Sequence, residues 1–228
     1  ARFGASDGRR DLYAVYDRKQ TDGHRTHSAY EADFLSLRTG LQWNDAWRLE
    51  LSGQFFQDEA EDPGPVNAPY LNDDRKEYLR FSWDADIIGR WTEGEARLTL
   101  YHNEGEHDFD MPSIEDYWHS KDRTLGALGR VSRTLFDRGA EADTLTAGYE
   151  YKYQWAEPQE DWIAWARANM PARLMDFGPY ERQNHDLFVF NEYRHDPWVQ
   201  TLGLRVHWDD TGERFEWLPH AEIGRAHV

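Results

Sequence analysis

Between Phe34 and Gln57 hydrophobic and polar positions alternate twice over, with a short break at Asn44, Asp45 and Ala46. In the first run Leu35, Leu37, Thr39, Leu41 and Trp43 share one face and Ser36, Arg38, Gly40 and Gln42 the other, the period of two that a pleated strand imposes. The return run divides the same way, with Trp47, Leu49, Leu51, Gly53 and Phe55 set against Arg48, Glu50, Ser52 and Gln54. Asn and Asp tolerate turn backbone angles, so the pattern predicts a hairpin closed at Asn44–Ala46. Each run is about ten residues, longer than the five or six common in soluble sheets and about what a tilted strand needs to cross a bilayer. A soluble sandwich would bury the Leu/Trp face under a second sheet. An outer-membrane barrel would turn it to lipid and leave the Arg/Glu face on a wet lumen.

Alternation predicts further strands at Arg2–Ser6, Asp11–Gln20, Lys76–Asp84, Glu95–Asn103, Arg123–Thr134, Thr144–Trp155, Asp186–His195, Trp198–Trp208 and Trp217–Val228. Tight turns fall at Asp7-Gly8, Asp137–Gly139 and Asp196-Pro197, and a modest one runs through Gly89 and Gly94. Between them lie long polar stretches, Thr21–Asp33, Asp58–Arg75, Glu104–Asp122 and Ala156–His185, the last holding a possible short helix at Asp161–Asn169. Short and long connections therefore take turns. An up-and-down membrane barrel does this by construction, with short turns on one rim and long loops on the other, whereas Greek-key sandwiches mix loop lengths at both ends. The acidic stretches 58–75 and 104–122 fall on the same predicted rim. The expected fold is all-β, an antiparallel up-and-down meander of about 11 strands, part of a transmembrane β-barrel, with residues 1–228 as one partial outer-membrane barrel domain.

Composition narrows the classes. Mean hydropathy is −0.93, and no window approaches the roughly 20 apolar residues of a membrane helix. A barrel survives this test because alternation halves its average hydropathy. The 11 Trp, 12 Tyr and 11 Phe are many for so polar a chain and suit interfacial girdles. Sugar-binding surfaces use the same residues. A net charge of −17 argues against a nucleic-acid partner. The absence of cysteine removes disulfides, thiolate metal sites and Cys nucleophiles together.

Three strings resemble the barrel of TonB-dependent outer-membrane receptors: LSLRTGLQWNDAWRLELSGQFFQDEAEDPGPV (Leu35–Val66), TLTAGYEYKYQW (Thr144–Trp155) and DLFVFNEYRHDPWVQTLGLRVHWDD (Asp186–Asp210). The resemblance extends loosely over the whole chain and rests on the order and spacing of these strings. It implies a barrel of about 22 strands around a plug. It further implies uptake of a scarce small-molecule ligand such as a ferric siderophore or cobalamin, without enzymatic activity or a cofactor. The implied partners are outer-membrane lipid and, in the full-length protein, a plug domain and the inner-membrane TonB complex. With about 11 strands and neither a plug nor a TonB-contact segment, the chain is expected to be part of such a barrel. The alternatives are a complete small porin or hydrolase barrel, and a soluble carbohydrate-binding β domain.

Trp118, Trp162, Trp165 and Tyr180 fall in long links and are candidate ligand-stacking residues at the extracellular mouth. The other reading is that Trp162, Ile163 and Trp165 anchor a loop helix to the rim. Tyr149, Tyr151, Tyr153 and Trp155 form a stripe expected to face lipid or a girdle. Arg38, Arg48, Glu50, Arg80, Arg97, Arg130, Glu150 and Glu192 fall on the polar phase and are expected to face the lumen. The run Glu104, Glu106, His107, Asp108 and Asp110 matches no established metal loop and is read as a solvated acidic loop, with no metal assigned. Ser113 and Ser120 lack a nucleophile-elbow context, and no catalytic residue is assigned.

Overall fold

A computed structural model of the chain describes residues 1–64, 73–112, 116–158, 180–210 and 215–225. Its elements are β1 (Arg2–Ser6), β2 (Arg10–Thr21), β3 (Tyr30–Gln42), β4 (Trp47–Asp62), β5 (Asp74–Trp91), β6 (Gly94–Met111), β7 (Asp116–Asp137), β8 (Glu141–Pro158), β9 (Tyr180–His195), β10 (Trp198–Asp209) and β11 (Phe215–Arg225). Each strand pairs antiparallel with the next, giving one 11-stranded sheet in sequence order with β1 and β11 as open edges. The strand count and the up-and-down order agree with the sequence. A complete small barrel does not, because β1 and β11 do not pair.

The turns follow local chemistry. In the β3–β4 turn the Asn44 side chain accepts from the backbone N–H groups of Ala46 and Trp47 at 2.9 and 3.0 Å. In the β1–β2 turn Asp7 accepts from Arg9 and Arg10 at 2.9 and 2.7 Å, while Gly8 takes φ 85°.

Register carries one hydrophobic rung across most of the sheet. Leu41 faces Leu49, Leu49 faces Ile87, Ile87 faces Leu98, Leu98 faces Gly129, Gly129 faces Tyr149, and Tyr149 faces Leu187. Leu41, Ile87, Leu98, Tyr149 and Leu187 are exposed, as are Leu35, Leu37, Leu51, Leu100 and Leu202 on the same face, and Leu49 is half-buried between its neighbours. Among the described residues only Ala32 and Ile88 are buried hydrophobics, in a chain that is 39% hydrophobic. A sandwich of this size would bury dozens, so the sheet lacks the protein layer that the soluble reading requires.

The apolar face has two boundaries. On the short-turn side stand Trp43, Trp47, Trp91 and Trp198, all exposed and all in the outward phase. Opposite them, the same face changes to ion pairs: Glu59 with Arg75 at 3.4 Å, Glu104 with Arg123 at 2.7 Å, Glu106 with Lys121 at 2.7 Å, and Arg18 with Glu31. From Trp47 to Phe55 the band runs about 27 Å along β4, or roughly 20 Å of depth at the usual ~40° tilt. That is close to the lipid-facing height of an outer-membrane barrel.

The strands are longer than the alternation of apolar residues predicts and encroach on all four expected loops, most of all on two. β4 continues to Asp62, β5 starts at Asp74, and the expected link 104–122 shrinks to 112–115 because β6 and β7 run to Met111 and from Asp116. Apolar alternation stops at the edge of the band, but backbone pairing does not, and cross-strand ion pairs support it beyond. The run from Glu104 to Asp110 is thus strand rather than loop. Its carboxylates share the outward face with their β7 partners, and His107 lies on the other. A third correction concerns Gly89, which lies within β5 and not in a turn. A Cβ there would come within 2.7 Å of the Trp47 ring, so the missing side chain makes room for the girdle indole.

This ladder is pH-sensitive. The Arg123 guanidinium holds the Glu104 carboxyl below its ordinary range. Burial would raise Asp108, but hydrogen bonds from Tyr117 and His119 hold it below its usual value, and the same bond pushes Tyr117 up to about 12. Carboxylates depressed in the folded state contribute stability above their unfolded pKa and lose it as pH falls through the folded value. Amide hydrogen exchange in residues 104–110 and 117–123 is therefore expected to accelerate between pH 7 and about 3, relative to residues 96–100, after correction for intrinsic rates. Equal protection at both pH values would show that the ladder does not hold these extensions.

Candidate functional site

The face opposite the apolar band is polar along most of its length. All of Arg38, Arg48, Glu50, Arg80, Arg97, Arg130, Glu150 and Glu192 fall on it by register. Arg48 bonds Glu50 at 2.7 Å and Asp11 at 2.5 Å, and Arg38 bonds Glu50 at 2.8 Å. Glu192 lies between Thr144 and Thr201.

Around Glu150 the face carries a network that sequence reasoning missed. Glu150 accepts from Tyr101 at 2.7 Å, with Arg205 at 3.7 Å and Lys152 at 3.8 Å. Asp186, directly across from Glu150, accepts from Arg205 Nε at 2.7 Å and lies 2.9 Å from His207 Nδ1. Alternation places each of these residues on the polar face, but only register makes them neighbours.

Toward the long-connection rim the same face turns aromatic. Phe56 and Tyr78 lie 6.0 Å apart, Tyr78 meets His107 edge-on at 6.0 Å, and His107 meets Trp118 edge-on at 5.2 Å. Lys76 stands over Phe109 at 4.9 Å. Arg80 borders the row, bonding Tyr78, Asn103 at 2.9 Å and Asp122 at 3.0 Å. Asp58 sits among these rings. Burial raises its carboxyl above the ordinary range, and the Tyr30 hydroxyl, donating at 3.3 Å, opposes the shift. The wall combines stackable faces with fixed polar groups, the chemistry of a small-molecule recognition surface.

Of the predicted stacking residues, Trp118 belongs to this row. Tyr180 shares the face but lies apart from it, opposite Ala156 at the start of β9 and 51% exposed. Trp162, Trp165 and the possible helix 161–169 lie outside the described residues. His107 and Phe109 escape the sequence reading because their stretch reads as loop, and Phe56 and Tyr78, which lie in expected strands, because nothing in one strand shows which rings register brings together. The signal was the continued alternation of His107 and Phe109 with Glu106, Asp108 and Asp110.

No family model matches the sequence, and no curated protein matches it. Solved structures do. The siderophore receptor PirA from Pseudomonas aeruginosa matches with a TM-score of 0.70 at 14% identity, over 97% of this chain and 35% of that one. The ferric citrate transporter FecA matches with a TM-score of 0.67 at 14% identity, over 96% and 36% of the two chains. The hemophore receptor HasR of Serratia marcescens matches with a TM-score of 0.69 at 12% identity, over 98% and 38%. At such identities the likeness is one of fold. The chain has the fold of part of a TonB-dependent outer-membrane receptor barrel, and it spans about a third of the length of the structures it matches.

Proposed function

We propose that this chain is a segment of an outer-membrane receptor barrel that takes up a scarce small-molecule ligand in an energy-coupled, non-enzymatic manner. In this reading the apolar band meets outer-membrane lipid and the polar face lines the lumen, closed by a plug domain and driven by the inner-membrane TonB complex in the full-length protein. The observation that carries it is the uncovered apolar band, bounded by tryptophans on one side and ion pairs on the other, on a sheet that has almost no core of its own. The names of the matched structures, a siderophore receptor, a ferric citrate transporter and a hemophore receptor, support a ligand of the iron-carrying kind.

The test is fractionation of cells making the full-length protein, followed by uptake of labelled ferric siderophores with and without an inner-membrane proton gradient. Outer-membrane recovery and gradient-dependent uptake are expected. Recovery in the soluble fraction would end this reading. For whichever complex is taken up, Trp118→Ala and Tyr78→Ala are each expected to weaken equilibrium binding about tenfold, the loss of one stacking contact of roughly 1.4 kcal/mol. Unchanged binding in both variants would remove the aromatic row from the ligand path.

A further inference from the structure

Two rungs on the polar face have opposite charge. One passes through Glu50, Asp86, Thr99, Leu128, Glu150 and Asp186. The next, nearer the short turns, passes through Arg48, Ile88, Arg97, Arg130, Gly148, Phe188 and Arg205. At either end the rungs neutralise each other, Arg48 on Glu50 at 2.7 Å and Arg205 on Asp186 at 2.7 Å. In the middle the acidic rung is broken. Arg97 and Arg130 stand directly across from each other, and the positions above them are Thr99 and Leu128.

Among the described residues the carboxylate that forms ion pairs with both arginines is Glu95, and it holds them only loosely. Its Oε1 lies 4.0 Å from each of Arg97 and Arg130, ion-pair distance but beyond hydrogen-bond reach, while its Oε2 bonds Arg90 at 2.9 Å. Arg97 Nε is buried with no hydrogen-bond partner among the described residues. Two adjacent guanidiniums repel each other, and a buried donor without an acceptor is costly. Both penalties vanish if an oxyanion sits between the arginines and takes charge-assisted bonds from each.

We propose that Arg97 and Arg130 form a seat for an oxyanion presented to the polar face. The chemistry is that of a carboxylate or a tetrahedral anion, and the source is either an acidic side chain from elsewhere in the polypeptide or a free ion. The inference uses the reading of this face as a lined interior, but not the identity of any transported ligand. It is therefore tested without uptake.

The full-length protein in detergent is heated in sodium sulfate and in sodium chloride at equal ionic strength, as wild type, as Arg97→Gln/Arg130→Gln and as the control Arg38→Gln. For a free anion, sulfate but not chloride raises the wild-type unfolding midpoint saturably by about 2–4 °C, and the effect is lost only in the double variant. For an internal carboxylate, sulfate does nothing to the wild type. The double variant then melts lower than the control, and amide exchange accelerates in a segment outside the sheet. An unchanged or raised midpoint in the double variant, with no sulfate response in the wild type, overturns the proposal, because removing an arginine pair that seats no anion relieves repulsion. If the glutamine variant fails to fold, Arg97→Lys/Arg130→Lys keeps the charge but loses the fork, and the same three outcomes are read.

Discussion

Replacing Leu51 with arginine is expected to destabilise the membrane-embedded fold by about 2–4 kcal/mol, the cost of a cation near the middle of a lipid-facing barrel wall. Leu51 lies midway between the girdle residue Trp47 and Phe55 in the outward phase of β4, and its side chain is 43% exposed with no protein above it. Leu49→Arg, closer to the tryptophans, should cost somewhat less because arginine can reach the interface from there. The proper comparison on the opposite face is Arg38→Leu, expected to cost about 0–1 kcal/mol as the loss of an exposed pair. Arg38 is 59% exposed on its side chain and has Glu50 as its ion-pair partner. The pattern of residues alone suggests Arg48→Leu as an equally mild change. The structure does not agree, because Arg48 is only 19% exposed and bonds both Asp11 and Glu50. Urea titration of the full-length protein in lipid bilayers measures all of these. Equal costs at Leu51 and Arg38 would mean that the apolar face does not meet hydrocarbon.

How far the sequence carries this picture depends on which solvent each stretch meets. In the band, the two unlike surroundings that the proposed function gives the faces force hydrophobic and polar residues to alternate, so Leu35–Trp43, Trp47–Phe55 and Thr144–Trp155 are assignable to strands and faces residue by residue. Above the band water wets both faces. Glu104–Asp110 and Tyr117–Arg123 are then strand because Glu104, Glu106 and Asp108 meet Arg123, Lys121 and His119 across the pair, a fact of register that composition hides. The site divides the same way. The polar phase identifies Arg97 and Glu150 as facing inward, but nothing in one strand says that Arg97 will stand beside Arg130 or that Glu150 will stand beside Asp186. Trp118 was chosen for lying in a presumed loop. Its place beside His107 comes instead from the inward phase of β7.

Asp186→Ala is expected to cost about 2–3 kcal/mol, although it touches no lipid and removes only a small side chain. The Asp186 carboxylate is 5% exposed and is the acceptor that Arg205 and His207 share. Arg205, 48% exposed, can recover part of the loss by closing the 3.7 Å gap to Glu150, which keeps the cost below that of a fully buried pair. His207, 20% exposed on its side chain, has no such alternative acceptor in the network. Asp186→Asn preserves shape and one acceptor oxygen and should cost about 1 kcal/mol. A double-mutant cycle with Arg205→Ala should return a coupling of about 1–2 kcal/mol, against almost none with Arg38→Ala, which sits on β3 far across the sheet. Equal costs for the alanine and asparagine variants would show that the lost charge, common to both, sets the cost and that the acceptor oxygen kept by asparagine contributes nothing. A larger consequence rests on the measurement. With Ile88 and Ala32 as its only buried hydrophobics among the described residues, this sheet cannot be held by a core. On the proposed function its lateral cohesion comes from backbone ladders, from lipid on one face, and on the other from networks such as the one joining Tyr101, Glu150, Asp186 and Arg205 across β6, β8, β9 and β10. Breaking that network should therefore separate β9 from β10 before it disturbs β3 and β4, an order that hydrogen exchange of the Asp186→Ala protein would show directly.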